Sequence, residues 1–583
     1  MELKRVLLAT LLSFVVLLAY QSLFLKPVRK APQGKAATSQ GGSASSDQPP
    51  ANPDSGPQAE APAEAGRTPS ASAAPAAAPE AEALVADTQE REVVVETPDV
   101  RAVFSTRGAE LKSWVLKAVL DDKNAPVDLI PRGVPPLEPR AFALIADDAA
   151  LTERLRSALY RPSHDALTVA RGTDRVVFEY ADASGLAVRK EFEIRADNHP
   201  YLLDFTGEVR QGATDVPVAV ASGAGLGDTD RATGGSFFSP AYYQKPQAIF
   251  FQNGKVSRLP GTEFATQSQF SGRFAYIGAD DHYFLGALLP GDRDARVDFR
   301  RLQISTPLGP RELVAYEARL AGGPRDARFY LGPKRFDQLA RVNRDLTRVI
   351  NFGMFAWLVV PLLRSLNWIN GFVGNYGWSI IILTVLINAA MFPLRHKSVV
   401  SMRKLQDLQP EVKTIQDRYA KLKTTDPQKQ KMNVELMNLY RERGVNPASG
   451  CLPMLLTFPV LFAFYALLSQ AIELRGAPFF GWITDLSKHD PWYITPVLMG
   501  ATMIWQQKIT PSTADPMQQK MMMYMPLMFM VMFLWAPSGL VIYWFVSNLW
   551  AIGQQYLTNY LLGPPKTAAR PPAERKTRQA AGA

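Results

Sequence analysis

The fold class this sequence predicts is an α-helical polytopic membrane protein of six spans carrying one large all-β domain outside the membrane. Three observations predict it. Apolar runs crowd the first 25 residues and the region after residue 350 of a 583-residue chain, although the mean hydropathy, −0.07, is that of a soluble protein. The stretch between reads as short β-prone runs separated by turn residues. Lysine and arginine gather beside the apolar spans, and that placement accounts for the net charge of +10 without a nucleic-acid partner.

The first element is an anchor at 1–25. Lys4 and Arg5 precede an apolar stretch from Val6 to Leu25, long enough to cross a bilayer as a helix. The stretch runs out through Gln21, Ser22 and Lys26-Pro27, which supply no small-x-small cleavage site, so an uncleaved anchor is expected. Residues 26–90, rich in Ala, Pro, Ser, Gly and Gln, cannot bury enough apolar surface to offset chain entropy and are expected to form a flexible tether. From 91 to 335 the pattern changes to runs such as Val93-Val94-Val95, Trp114-Val115-Leu116, Val176-Val177-Phe178 and Phe284-Leu285, punctuated by turns, which predicts an antiparallel β-sandwich. No long amphipathic helix is expected before 334–349. Within 336–375 the apolar segment 352–372 is interrupted by Pro361, Arg364 and Asn367 and carries Trp357 and Trp368. It is expected to lie in the membrane interface rather than to span.

Five further spans are expected at 376–394, 452–472, 492–507, 521–537 and 540–562. Residues 395–444 carry 12 Lys or Arg against 6 acids, the loop 473–491 has 2 against 3, and the tail 563–583 has 5 against 1. Positive-inside orientation places 395–444, the basic tail and the N-terminus in the cytoplasm, and the β-domain outside. The cytoplasmic loop 396–444 is expected to be a helical hairpin. Leu408, Val412, Ile415, Tyr419 and Leu422 make one apolar seam, and Asp426-Pro427 opens a second helix whose face is Met432, Leu436, Leu439 and Tyr440, closed by Gly444. The hairpin is either a solvated connector or a docking surface.

Polar chemistry within the spans carries the functional signal. Thr384 and Asn388 sit one turn apart on a common face, Gln470, Gln506 and Gln507 lie near span ends, and the last span carries Tyr543, Ser547, Asn548, Gln554 and Gln555. An unpaired amide or hydroxyl in hydrocarbon costs about 1–3 kcal/mol or more. These groups therefore meet one another across helices or border a wet cavity. The shared face of Thr384 and Asn388 points to a cavity. Seven of the 17 methionines fall within 521–532, a soft apolar surface able to fit helices of differing shape, or else lipid-facing filler. Cys451 is the only cysteine, and the five histidines (164, 199, 282, 396, 489) show no metal-ligand spacing, so no metal or other cofactor is expected. Asp280-Asp281-His282 reads as a solvated acidic turn, and Gly223 to Gly227 as a turn and not a phosphate cradle, so no catalytic residue is expected either. A solute or lipid-linked-sugar transporter with a carbohydrate-binding β-domain is the alternative; the later spans carry no acid for proton coupling and no paired discontinuous repeat.

Several unlinked strings resemble the YidC-type membrane protein insertases. They are Val445-Asn446-Pro447-Ala448-Ser449-Gly450-Cys451-Leu452-Pro453, Phe458-Pro459-Val460-Leu461-Phe462, Glu473-Leu474-Arg475-Gly476-Ala477-Pro478-Phe479, Asp515-Pro516-Met517-Gln518-Gln519-Lys520 and Pro537-Ser538-Gly539-Leu540-Val541-Ile542-Tyr543-Trp544. Ser105-Thr106-Arg107-Gly108 and Tyr330-Leu331-Gly332-Pro333-Lys334 extend the likeness more weakly into the β-domain. The resemblance implies the Gram-negative form: an inner-membrane protein with a periplasmic β-super-sandwich and a five-span insertase core at 376–562. It implies a hydrophilic groove, closed outward, through which nascent membrane proteins pass into the bilayer, alone or with the Sec translocon. It further implies ribosome contact through cytoplasmic loops and tail, contact with membrane lipids, and no enzymatic step. The groove residues so expected are Thr384, Asn388, Gln470, Gln507, Tyr543, Trp544 and Ser547, with Met525, Met528 and Met532 as a client slide. Many family members carry a base where this chain has Asn388. Arg395, seven residues on and about 10 Å along the helix on a similar face, is expected to supply that charge at the groove mouth.

Overall fold

A computed structural model describes residues 82–562 apart from 122, 136–137, 198, 226–243, 262, 264–266, 307–308, 420–427, 446–451 and 511–515. The expected anchor at 1–25, nearly all of the tether and the tail 563–583 lie outside the described residues.

Alternation builds the β-domain. Along Leu186–Arg195 every second residue is buried, and both neighbouring strands, Thr173–Asp182 and Leu202–Gln211, pair with it antiparallel over nine registered positions. Among the described residues two sheets result, one of 11 and one of 10 strands, antiparallel except where Glu92–Glu96 runs parallel to Ala166–Thr168. Their inner faces meet in a phenylalanine cluster. Phe104 and Phe142 of the smaller sheet lie 4.5 and 5.3 Å from Phe192 of the larger, and Phe142 also meets Phe329 at 4.9 Å. The buried Trp114 indole donates across the sheets to the Leu331 carbonyl at 2.9 Å. A buried lysine adds a second tie. The Lys190 ammonium donates to the carbonyls of Gly108 at 2.6 Å and Phe142 at 2.9 Å, both residues with positive φ. Three hydrogens on one nitrogen suit such converging carbonyls.

The first helix among the described residues, α1 (Ala149–Ser157), is too short for the sequence pattern to have marked; Asp148 caps it by accepting the amides of Ala150 and Leu151. The single helix expected at 334–349 is in fact divided. It consists of α2 (Phe336–Val342) and a 3₁₀ turn Arg344–Val349, because Asn343 takes an extended conformation and its side chain caps the Asp345 amide. The segment expected at the membrane interface forms α3 (Ala356–Val373), with Val359, Leu362, Leu363, Leu366 and Ile369 buried and Trp357, Trp368 and Phe372 exposed on its other side.

The helical region continues with α4 (Tyr376–Asp407), α5 (Gln409–Arg418), α6 (Gln428–Glu442), α7 (Leu452–Gln470), α8 (Ile494–Ile509), α9 (Pro516–Met532) and α10 (Ser538–Leu562). Among the described residues only α4 is long and apolar enough by itself to cross a membrane; shorter apolar helices lie at Phe458–Gln470 and Met521–Trp535. The hairpin does not begin just after the span, as the sequence suggested. Instead α4 runs unbroken past Arg395 to Asp407, since 395–407 contains good helix formers and no glycine or proline. Leu408 ends it, and α5 and α6 then pair antiparallel through Arg418–Glu435 (2.7 Å) and Arg443–Glu411 (2.9 Å). Gly444, with φ +63°, terminates α6 as expected, and the Val445 amide reaches back to the Tyr440 carbonyl. Helix α10 is the hub, packing on α4, α7 and α8, while α9 packs on α8.

Candidate functional site

The heart of the helical region is a polar cluster between α4 and α10. Thr384 and Asn388 are both buried, at 0% and 4% exposure. The Thr384 hydroxyl donates to the Ile380 carbonyl at 2.6 Å and the Asn388 amide to the Thr384 carbonyl at 2.8 Å, so each satisfies itself one turn back on its own helix. Asn388 reaches further: its amide nitrogen lies 3.5 Å from the Ser547 hydroxyl on α10, and its oxygen accepts from Arg395 Nη1 at 2.8 Å. Tyr543, one turn before Ser547 on the same face of α10, stacks on Phe464 of α7 at 4.3 Å. Asn388, Arg395, Tyr543 and Ser547 therefore form one constellation, as a shared face on each helix requires.

Arg395 is half-buried, and among the described residues no carboxylate pairs with it. Its hydrogen bond to Asn388 spans Pro393, the single proline within α4. Proline removes the amide that would serve the carbonyl four residues earlier, which weakens the helix locally. The guanidinium bridges that weak point.

The remaining predicted residues are dispersed. Gln470 and Gln507 are half-buried and hold no hydrogen bond to the cluster. Trp544 turns to a different face of α10, with its ring 4.9 Å from Phe533 and 5.8 Å from Phe529. Asn548 and Gln554 prove to be interhelical ties. Asn548 donates to Thr502 of α8 at 3.3 Å, and Gln554 to the Phe392 carbonyl of α4 at 3.4 Å. Met525, Met528 and Met532 form an exposed stripe on α9 at 42%, 44% and 40%, whereas Met530 turns inward onto Gly500 of α8.

Two features escaped the sequence reading. His396, next to Arg395, lies 3.2 Å from the Thr558 hydroxyl and adds a third polar link between α4 and α10. The turn 280–282, expected to be solvated, is buried instead: Asp280 pairs with the buried Lys334 at 3.0 Å, and the His282 ring reaches α7. Around the loop between α7 and α8, Asp490 accepts from the amides of Trp492 and Thr495, the Thr495 hydroxyl and the Trp482 indole. Burial alone would raise its carboxyl, but those hydrogen bonds outweigh burial and hold it below the usual carboxylate value.

Comparison with known proteins agrees with this architecture in both halves. The sequence profile of the 60Kd inner membrane protein family matches residues 368–563, and that of the YidC periplasmic domain matches 92–365. The membrane protein insertase YidC of Geobacter metallireducens is 37% identical over 573 residues, covering 95% of this chain and 98% of that one. That of Pelobacter propionicus is 34% identical over 598 residues, covering 96% and 99%. A crystal structure described as an active YidC insertase with the first transmembrane domain resolved is 18% identical and covers 82% of this chain and 95% of that chain, with a TM-score of 0.34. Carrying both the β-rich periplasmic domain and the helical inner-membrane region, the chain belongs to the YidC family of membrane protein insertases.

Proposed function

We propose that nascent transmembrane segments leave the cytoplasm along a groove between α4, α7 and α10 and slide from it into the inner membrane. The observation that carries this reading is the constellation of Asn388, Arg395, Tyr543 and Ser547 at the centre of otherwise apolar helices. Thr384 backs it, Gln470 and Gln507 mark the polar ends, and Trp544 braces α10 on α9. A polar half-buried track lowers the cost of carrying a hydrophilic flank across, while burial of the client's own apolar span in lipid supplies the driving free energy. Met525, Met528 and Met532 give the departing helix a surface that adapts to its side chains.

On this reading the chain spans the membrane six times, with both termini cytoplasmic and its β-super-sandwich periplasmic. Helix α3 lies in the interface with Trp357 and Trp368 toward lipid. The hairpin and the basic tail meet the ribosome, and the chain works alone or with the Sec translocon. The test is insertion of a short single-span client into vesicles that hold this protein alone. Protease protection of the client's translocated flank is expected; protection no greater than in protein-free vesicles would overturn the reading.

A further inference from the structure

The turn at 280–284 is where the β-domain meets the helical region, and it is built rigidly. The Lys334 ammonium donates to the Asp280 carboxylate and to the Asp281 carbonyl. The Asp281 carboxylate accepts the amides of Tyr283 and Phe284 at 2.9 and 2.7 Å. His282 is thereby held with its ring projecting from the domain. The Gln244 amide, which can only donate, lies 3.3 Å from Nδ1, so Nε2 carries the hydrogen. That Nε2–H donates to the Ser469 carbonyl at 2.8 Å.

Ser469 lies in the last turn of α7, which ends at Gln470. Carbonyls of a last turn have no partner within their own helix, and water, a local cap or another segment must serve them. Here the cap comes from a different domain. A second contact grips the chain as it leaves α7: the Arg475 guanidinium lies 5.1 Å from the Phe284 ring and 5.5 Å from the Tyr283 ring. The β-domain therefore holds the end of α7 at two points six residues apart in sequence.

We propose that His282 is a positioning residue for insertion: by capping α7 at Ser469 it holds the Gln470 end of that helix shut, so that the groove opens toward cytoplasm and lipid and not toward the periplasm. This rests on the insertase reading above. Without the cap the Ser469 carbonyl must find water, and the last turn of α7 frays toward it. The β-domain then acts on the path of the client without touching the client.

The test uses the full-length protein in vesicles, in a Cys451→Ser background with Ala471→Cys as the probe. Ala471 is buried immediately beyond the helix end. Labelling by a membrane-impermeant maleimide is slow with His282 and about fivefold faster with His282→Leu, the factor that loss of one interior hydrogen bond brings. His282→Asn, polar but too short to reach Ser469, labels as fast as His282→Leu and serves if the latter fails to fold. His282→Gln, whose amide can donate to the same carbonyl, restores slow labelling. Insertion of a single-span client, measured without the probe, falls in the fast-labelling variants and recovers in His282→Gln. Equal labelling rates in every variant overturn the proposal, as does fast labelling with insertion at the wild-type rate. Labelling needs no client, so a protein that labels as expected but in unmodified form inserts nothing would sink the insertase reading, and with it the role in insertion, while leaving the cap in place.

Discussion

Replacing Arg395 with alanine separates the charge of the proposed groove from its packing. The side chain contributes two things: a hydrogen bond to the Asn388 oxygen at 2.8 Å, and a positive charge that no carboxylate of the described residues neutralises. Loss of the hydrogen bond costs about 0.5–1.5 kcal/mol and weakens insertion of every client alike. Loss of the charge acts only on clients that bring an acid. Two unit charges 4 Å apart attract by about 1 kcal/mol in water and about 4 kcal/mol near a protein surface. For a half-buried guanidinium we take about 2 kcal/mol, roughly a 30-fold change in rate at 1.4 kcal/mol per factor of ten. The ratio of insertion rates for two clients that differ only in Asp or Asn in the translocated tail is therefore the readout. It is expected to fall by about that factor in Arg395→Ala, to survive largely in Arg395→Lys, and to shrink in the wild type as salt is raised. An unchanged ratio, whatever happens to the absolute rates, would refute the assignment of Arg395 as the groove's charge.

Three further outcomes follow from the packing. Lys190→Met leaves the Gly108 and Phe142 carbonyls without their donor and deprives the buried Glu110 of a neighbouring positive charge; a loss of about 3 kcal/mol or more is expected in denaturant unfolding of the full-length protein in detergent. In Asp490→Asn the amide cannot accept all four hydrogen bonds as a charged group, so a loss of about 1–3 kcal/mol is expected at neutral pH. Because the folded carboxyl titrates below its ordinary value of 3.8, its stabilisation is complete above that pH and disappears as pH falls below it; Asp490→Asn should erase that acid limb of the stability curve. Gly377→Ala places a methyl 2.1 Å from the Phe479 ring and 2.8 Å from its Cβ, which ring rotation cannot relieve. It should lower the thermal midpoint, at a cost of about 1–3 kcal/mol, while Gly500→Ala, opposed only by the flexible Met530 chain, should cost less.

Period-two alternation made the β-domain legible, since runs such as Val176–Phe178 and Phe284–Leu285 announce strands whatever their partners. Strand order was not legible. The neighbours Leu202–Gln211 and Ala327–Pro333 lie more than a hundred residues apart, and nothing local encodes that pairing. The same limit applied to the polar cluster. Thr384 and Asn388 could be placed on one face of α4 from spacing alone, and so could the seven-residue step to Arg395. That Asn388 would meet Ser547, and that Trp544 would turn away toward Phe533, depended on the rotation of α10, which a helix with polar residues on more than one face does not reveal. His282 was misread for a related reason. Two acids and a histidine in a turn suggest solvent, and only the fold brings Lys334 and the end of α7 to them.

Helix α4 is 32 residues long, about 48 Å as a rod, and carries both the face proposed to line the groove and the stem of the hairpin. It has no break between the two. A load on the hairpin is therefore delivered as bending, and bending concentrates where the rod is weakest, at Pro393. The Arg395–Asn388 hydrogen bond is the clasp across that point. On the proposed insertion path, a client carboxylate that drew the guanidinium to itself would undo the clasp, and would thereby link occupancy of that path to the stiffness of the stem through one side chain.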